Sequence, residues 1–200
     1  MRIEAFDAAG NESAPSGAFA LGPRVDVYAG QNVHSVKVVD VGGGGAPDLV
    51  AAVSGSDSAS VLLGSGGGSF GSPTLYRTSP QASSPYPKNV VTVDLNGGGV
   101  LDLVTANQDT DSAGVLLGNG NGTFAPATYV DTCPGAHDVA VGDFDEDDDW
   151  DLAVACHGST TMTLWFGDGD GTFSGRSDIE TGDAVGCVVG GRCAHSLAVA

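Results

Sequence analysis

The sequence DFDEDDDWDL at residues 143–152 is the third copy of an acidic motif, after DVGGGGAPDL at 40–49 and DLNGGGVLDL at 94–103. Each copy is followed by a glycine-rich motif, which reads VLLGSGGGSF, VLLGNGNGTF and LWFGDGDGTF in turn. The first aspartate and the first glycine are always 24 residues apart, in the pairs Asp40 and Gly64, Asp94 and Gly118, and Asp143 and Gly167. Two motifs at a fixed separation, repeated about every 50 residues, predict a series of similar small units, and a four-stranded propeller blade has that length.

Alternation of apolar and polar residues predicts four strands in each repeat. The first strand precedes the acidic motif, the second follows it, the third ends in VLLG or LWFG, and the fourth is a short segment such as 74–76 or 127–130. The first strands are predicted at 36–41, 90–95 and 139–144, and the second strands at 49–53, 103–106 and 152–156. No segment has helical periodicity. The chain is therefore predicted to be all-β, a partial β-propeller of about three four-stranded blades.

Differences in repeat length fall between the glycine-rich motif and the next acidic motif. Up-and-down strand order would place both motifs at one end of each sheet and the variable connections at the other end. Variable loops on one face are where repeat proteins commonly bind partners.

The charge of the chain restricts the classes of partner. It has 25 acidic and only 7 basic residues, a formal net charge of −18, and 32 glycines. This charge would repel nucleic acid and favours cations. No apolar run approaches the roughly 18 residues of a membrane span, and residues 1–10 lack the apolar segment of a secretion signal. We therefore expect either an intracellular chain or one that continues upstream.

The third acidic motif has the composition of a calcium loop. Carboxylates occupy positions 1, 3, 5 and 9 (Asp143, Asp145, Asp147 and Asp151), and position 7, Asp149, can offer a main-chain carbonyl. Calcium accepts six to eight oxygen ligands of this kind. The alternative is a solvated acidic turn, which would leave clustered carboxylates without a counter-ion. An EF-hand is excluded because position 12 is Val154 and strands flank the loop.

The other two acidic motifs are weaker versions of the same loop. The second keeps Asp94, Asn96 and Asp102 but has Gly98 at position 5, and the first keeps only Asp40 and Asp48. Because ligand charge sets calcium affinity, we expect the third loop to bind best and the first to bind poorly. In the third loop, Asp148 stands where a glycine normally makes the sharp turn, in a left-handed conformation that aspartate tolerates better than most residues.

These paired motifs resemble the FG-GAP or VCBS repeat, the unit of the integrin α-chain propeller and of many bacterial secreted proteins. The resemblance covers about residues 33–200, divided into repeats at 33–86, 87–135 and 136–194 with the start of a fourth at 195–200. It implies a seven-bladed propeller at the cell surface or outside the cell, of which about three blades are present here. It also implies calcium in the blade hairpins, held by the residues named above in the third and second loops.

The N-terminal sequence RIEAFDAAGNESAPS at 2–16 resembles the final strands of a fibronectin type III domain. We therefore divide the chain into a fibronectin type III remnant at 1–16, a linker or outer strand at 17–32, and the repeats.

The four cysteines fall in or around the third repeat and form no C-x-x-C motif. We predict disulfide bonds, Cys187 with Cys193 and Cys133 with Cys156, in an oxidising compartment. The alternative is zinc bound by these cysteines with His137, His157 or His195. His34, His137 and His195 each lie six positions before an acidic motif, or before its expected start at 201, and are interpreted as strand-entry residues.

Two further motifs are given no functional role. Residues 67–71 fit the nucleophile-elbow pattern, but the matching positions of Ser69 in the other repeats are Thr123 and Thr172. Trp150 could stack on a sugar, but Pro47 and Leu101 occupy the same position, which favours inward packing.

The sequence thus predicts a non-catalytic extracellular calcium-binding propeller module for cell adhesion or for binding a glycan or protein at the cell surface or matrix. The alternative is part of a secreted propeller enzyme of the polysaccharide lyase or dehydratase type, with catalytic residues outside these 200 residues. No cluster of histidine, tyrosine and arginine suited to proton transfer is evident in the sequence.

Overall fold

The protein is described by a computed structural model over residues 26–79 and 84–181, and this part of the chain is built from β-strands. Two single turns of 3-10 helix, Ser54–Ser56 and Gln108–Thr110, are its helical elements. The fibronectin-like segment, Cys187, Cys193 and the start of the fourth repeat lie outside the described residues. Of the predicted linker, residues 26–32 are described and contain no strand.

Each of the three repeats contains one four-stranded antiparallel sheet. The first repeat contains β1 (Val33–Val39), β2 (Asp48–Val53), β3 (Ser58–Leu62), β4 (Gly64–Gly66), β5 (Ser69–Phe70) and β6 (Thr74–Arg77). The second contains β7 (Pro87–Val93), β8 (Asp102–Asn107), β9 (Ser112–Leu116) and β10 (Thr128–Asp131). The third contains β11 (Ala136–Gly142), β12 (Asp151–Cys156), β13 (Thr161–Gly167) and β14 (Phe173–Glu180).

Strand order in space follows strand order in sequence. The first sheet runs β1-β2-β3-β6, the second β7-β8-β9-β10 and the third β11-β12-β13-β14, while β4 and β5 form a small hairpin inside the first glycine-rich loop. This up-and-down order places the acidic and glycine-rich loops at one end of each sheet, here called the acidic end. The turns after the second strand and the links between sheets lie at the other end, the connection end.

The hydrophobic core lies between neighbouring sheets. Buried side chains of the first and second sheets form one cluster: Val41, Val50, Ala52, Ala59, Val61, Val90, Leu103, Leu116 and Phe124. Those of the second and third sheets form another: Leu95, Val104, Ala106, Ala113, Val115, Ala136, Val139, Leu152 and Val154. Burying a side chain of valine or leucine size contributes about 1.5–3 kcal/mol, so packing between sheets is the main source of stability.

The first strands of successive sheets are neighbours, because β7 contacts both β1 and β11. None of the sheets in the described part of the chain closes on itself. Three successive up-and-down sheets that pack face to face, with first strands adjacent, confirm the prediction of an all-β fold with three four-stranded units, and this arrangement is consistent with part of a propeller.

A β-bulge occurs at the same place in the first strand of every sheet. Strand pairing skips one residue, which is His34 in β1, Lys88 in β7 and His137 in β11. The extra residue breaks the period-two alternation, and this explains why the sequence placed the start of each first strand about three residues too late. The strands also end before the first aspartate of the acidic loop, which belongs to the loop itself.

The predicted pairing of Cys133 with Cys156 is confirmed. The two residues form a disulfide with a Cα–Cα distance of 5.9 Å, which ties the link before β11 to the end of β12. This bond rules out Cys133 and Cys156 as zinc ligands in this state of the protein.

Candidate metal centre in the acidic loops

The three acidic loops share one backbone conformation. Positions 4 and 6 of each loop have left-handed backbone angles, with φ between 64° and 76° in all six residues. In the first two loops these positions are glycines, whereas in the third they are Glu146 (φ 64°) and Asp148 (φ 73°). The left-handed geometry predicted for Asp148 is present, but that of Glu146 was not predicted from the sequence.

The first aspartate of each loop closes the turn with its own carboxylate. Asp143 accepts the backbone N–H groups of Asp147 and Asp148, both at 3.1 Å. The same pair of bonds occurs at positions 5 and 6 of the other loops: Gly44 and Gly45 donate to Asp40, and Gly98 and Gly99 donate to Asp94. Position 1 therefore organises the loop in every repeat, whatever the charge of the residues between.

The last aspartate of each loop is buried and joins the two motifs of its repeat. Asp102 is fully buried, and its carboxylate accepts the N–H groups of Leu95 at 2.9 Å and Gly118 at 2.7 Å. In the first repeat, the N–H groups of Val41 and Gly64 donate to Asp48 in the same way. In the third repeat, those of Phe144 and Gly167 donate to Asp151. This role was missed in the sequence analysis, although the constant spacing of the two motifs is its signature.

The first glycine of each glycine-rich motif is fixed by the same contact. A Cβ atom on Gly118 would lie 2.3 Å from the carbonyl oxygen of Leu101. A Cβ atom on Gly167 would lie 2.3 Å from the carbonyl oxygen of Trp150, and one on Gly64 would lie 2.1 Å from that of Pro47. A side chain at this position would force the hairpin away from the aspartate, so only glycine lets the two motifs meet.

The third loop brings three carboxylates together. Ligand oxygens of Asp143, Asp145 and Asp151 all lie within 4.8 Å of one another. Among the described residues, no other group of three or more acidic, histidine or cysteine side chains has its ligand atoms this close together. Asp147 and Asp149 lie beside it, and the Asp147 carboxylate accepts the N–H of Asp149 at 2.9 Å.

Desolvation and clustered negative charge both disfavour the ionised carboxylates of the third loop. Partial desolvation, followed by the negative charges of Asp147, Asp151 and Asp143, raises the pKa of Asp145. Desolvation and neighbouring aspartates also raise the pKa of Asp149. No lysine or arginine of the described residues forms an ion pair with this loop. A donor set of carboxylate oxygens under mutual repulsion fits a hard divalent cation such as calcium.

The second and first loops have fewer acidic groups. Burial raises the pKa of Asp102, the bonds from Gly118 and Leu95 oppose this shift, and the charge of Asp94 adds to it. Asn96, the third predicted ligand there, instead accepts the N–H of Gly98 through Oδ1 at 3.0 Å. In the first loop, only Asp40 and Asp48 carry charge.

The glycine-rich motifs form hairpin turns. Asn121 and Asp170 each accept both the N–H and the hydroxyl of the threonine two residues later. The bonds from Thr172 lower the pKa of Asp170. These side chains shape the turns and so have a structural role that needs no ligand.

Trp150 does not pack inward as its position predicted. Its side chain is 43% exposed at the acidic end, whereas Leu101 packs against the first core cluster. Equivalent positions in two repeats thus have different environments.

Two aspartates at the connection end were also missed. Asp57 and Asp111 follow the 3-10 turns with left-handed backbones (φ 54° and 48°). The Asp111 carboxylate accepts the N–H of Gly135 at 2.7 Å, and that of Asp57 accepts the N–H of Tyr86 at 3.4 Å. Each therefore ties the turn of one sheet to the link that leads into the next.

Comparison with known families bears on this site. Residues 94–154 match the family described as FG-GAP-like repeat, a span that runs from the second acidic loop through the third. This match supports the assignment of these repeats to that family. No helix in the described residues is long and apolar enough to cross a membrane.

Among solved structures, the chain is similar to an Agrocybe aegerita lectin, whose structure is described as the basis of specific recognition of non-reducing terminal N-acetylglucosamine. The TM-score is 0.49 at 23% sequence identity, over 74% of this chain and 38% of the lectin chain. The chain thus spans less than half the length of that lectin. No curated protein sequence matches the chain.

Proposed function

We propose that this chain is a non-catalytic, calcium-stabilised propeller module of an extracellular protein, which presents loops for binding a glycan or a protein. The observation that carries this proposal is the excess of acid in the third loop. The first loop adopts the same backbone with two acidic residues, whereas residues 143–151 contain seven. Because folding of the loop does not require the additional charges, a bound cation is the physical reason to have them.

The proposed ligands are oxygens of Asp143, Asp145, Asp147 and Asp151, with the main-chain carbonyl of Asp149. The two oxygens of Asp151 already accept backbone N–H groups, but a carboxylate has about four lone-pair positions and can also bind a metal. Calcium bound at this site would offset part of the negative charge of the loop and fix the hairpin between β11 and β12.

Two features support an extracellular location. Disulfides such as Cys133–Cys156 persist in oxidising compartments. Extracellular calcium modules operate at dissociation constants of about 0.1–1 mM, so even a partly exposed site of this kind would be filled there.

Exposed apolar side chains support a larger ring, of about seven blades by family resemblance. Val36 in β1 is 55% exposed, whereas its equivalents Val90 and Val139 are buried against a preceding sheet. At the other side, Phe144 is 39% exposed, whereas its equivalent Val41 is buried. Electron microscopy of the full-length protein would count the blades, and an isolated three-sheet particle would contradict the ring.

The test of calcium binding is thermal unfolding of the chain in calcium and in chelator. Filling one site at a hundred times its dissociation constant contributes about 2.7 kcal/mol, which corresponds to a rise in Tm of about 5–10 °C. The variant Asp145→Asn with Asp147→Asn should lose this rise. The control, Asp109→Asn with Asp131→Asn, removes the same charge from two exposed aspartates elsewhere and should keep it. A Tm that is indifferent to calcium would overturn the proposal.

A further inference from the structure

The junction of the first and second sheets carries an unusual group of side chains at the connection end. The bulges in the first strands present His34 and Lys88 there, at matching positions of the two repeats. Bulges redirect a side chain that would otherwise follow the alternation of the strand, and they are frequent beside functional sites. These two side chains meet at Tyr86, in the link that leads into β7.

Tyr86 has a strained backbone. Its φ of 50° is left-handed, and the residues at the same position in the other repeats are Asn32 (φ 57°) and Gly135 (φ 78°). Asparagine and glycine tolerate this conformation, but a bulky aromatic residue rarely adopts it. Strain of this kind is concentrated at functional sites. The second repeat therefore holds a tyrosine where asparagine or glycine would be less strained.

The side chains form an aromatic and cationic cluster. Lys88 Nζ lies 4.3 Å from the centre of the Tyr86 ring, and the rings of His34 and Tyr86 are tilted at 57° with centres 5.6 Å apart. His34 Nε2 lies 3.0 Å from the Ser54 hydroxyl, which fixes the orientation of the imidazole. Burial, and then the charge of Lys88, lowers the pKa of His34, so the imidazole is neutral near pH 7.

Lys88 has no acidic partner among the described residues, although the chain is strongly acidic. The carboxylate that contacts the cluster, Asp57, is engaged by the N–H of Tyr86 and the hydroxyl of Ser84. The acidic loops lie at the opposite end of seven-residue strands, about 23 Å away at 3.3 Å per residue. Because the Debye length at physiological salt is about 8 Å, those loops exert little repulsion here.

Unused hydrogen-bonding capacity lies in adjacent residues. Ser56 Oγ and Asn89 Oδ1 are buried and have no hydrogen-bond partner among the described residues. They stand next in sequence to Asp57 and Lys88. Unsatisfied buried groups are rare in folded proteins, and these two atoms have hydrogen-bonding capacity that the described residues do not use.

We propose that Tyr86, Lys88 and His34 form a binding site for an acidic sugar, a pyranose that carries a carboxylate. The carboxylate pairs with Lys88 and draws Nζ away from its place over the tyrosine ring. The apolar face of the sugar then packs on the ring face that Lys88 leaves, and a ring hydroxyl bonds with the imidazole of His34. This inference rests on the proposed role as a binding module and names the ligand class. The strain at Tyr86 is then the cost of presenting the ring at the junction.

The test is an NMR titration of the 15N-labelled chain in saturating calcium with glucuronate, with glucose and acetate as separate controls. We expect glucuronate to shift the resonances of His34, Tyr86 and Lys88, and glucose and acetate each to bind at least tenfold more weakly. Lys88→Ala should weaken glucuronate binding at least tenfold, and Lys88→Arg should restore most of it. Lys37→Ala, which removes the same charge from β1, should have no effect.

Tyr86→Asn separates function from folding. It installs the residue that the first repeat has at this position, so it should abolish glucuronate binding without lowering the Tm. The inference is overturned if glucuronate produces no shifts, if glucose binds equally well, or if Lys88→Ala binds normally. Shifts confined to residues 143–151 would indicate competition for calcium and would also overturn it. Calcium-dependent stabilisation is measured separately, so failure of the sugar site leaves the proposed calcium module standing.

Discussion

The first and third acidic loops have the same backbone and very different charge. Both have left-handed residues at positions 4 and 6, a first aspartate that closes the turn and a last aspartate that binds the hairpin glycine. The first loop achieves this with glycines at positions 3 to 6, whereas the third has acidic residues at all four. The comparison separates two functions that overlap in the sequence: positions 1 and 9 shape the loop in every repeat, and positions 3 and 5 add the carboxylates that complete the proposed metal site in the third.

The largest expected effect comes from removing the last aspartate. Asp102→Ala would leave the N–H groups of Leu95 and Gly118 without their acceptor, at a cost of about 1–3 kcal/mol for each buried donor. Asp151→Ala should cost a similar amount in chelator, because the structural role does not depend on calcium. Urea unfolding would measure both, with the exposed Asp109→Ala as control. If Asp151→Ala mattered only in calcium, the separation of the two roles would be wrong.

A smaller gain is expected from giving the second loop the acid that it lacks. Gly98→Asp places a carboxylate at position 5 beside Asp94, Asn96 and Asp102, at a residue without left-handed geometry. The new Cβ would lie 2.7 Å from Asn96 Oδ1, a side-chain atom that can rotate away. We expect an additional calcium-dependent rise in Tm of a few degrees and a second equivalent of bound calcium by isothermal titration calorimetry. Unchanged stoichiometry would show that position 5 does not control occupancy.

Relief of backbone strain in the third loop should raise the free energy of unfolding by about 1 kcal/mol. Glu146→Gly gives position 4 the residue of the other loops and removes the penalty of a left-handed glutamate. In chelator the free energy of unfolding should therefore rise, and Asp148→Gly should help less because aspartate tolerates this region better. Gly44→Ala is the control, since Gly44 is not left-handed and a Cβ there meets no atom within 4 Å. Equal stability of all three variants in urea would argue against strain.

The smallest effect is a reversal of pH dependence. The pKa values of Asp145 and Asp149 are raised in the folded chain, so in chelator these groups add stability that is present below about pH 3.9 and is lost as the pH rises through their folded values. In calcium the ionised carboxylates are stabilised, and the contribution changes sign. We would measure the urea midpoints of the wild type and of the double variant Asp145→Asn with Asp149→Asn from pH 3 to 6. The difference between them isolates the contribution of these two carboxylates to stability. The same slope with and without calcium would contradict the assignment.

The sequence predicted the elements that depend on local pattern. The paired motifs gave three four-stranded sheets, and the glycine pattern of the first two loops indicated the left-handed geometry of Asp148. What it missed depends on contacts between segments. The buried carboxylate of Asp102 contacts Gly118, 16 residues later, and only the close approach of the two hairpins reveals the bond. Trp150 was misplaced because its packing was inferred from the matching positions in the other repeats, and Leu101 packs against the core whereas Trp150 is exposed.

Local irregularity also limited the prediction of the connection end. The bulges at His34 and Lys88 interrupt the alternation on which strand prediction depends, so His34 was interpreted only as a strand-entry residue and Lys88 was given no role. Tyr86 gave no signal, because a left-handed tyrosine cannot be recognised from sequence without the structure of its repeat. The cluster around it became visible once the first and second sheets were placed side by side.

The bond between the last aspartate and the hairpin glycine has a consequence for how such repeats diverge. Each duplicated unit keeps its shape through one aspartate and one glycine, and the residues between the two outer aspartates are free to change. A repeat can thus gain or lose a cation site by a few substitutions without passing through an unfolded ancestor. If the acidic loops bind calcium as proposed, the number of acidic loops determines the calcium concentration at which the repeats become rigid.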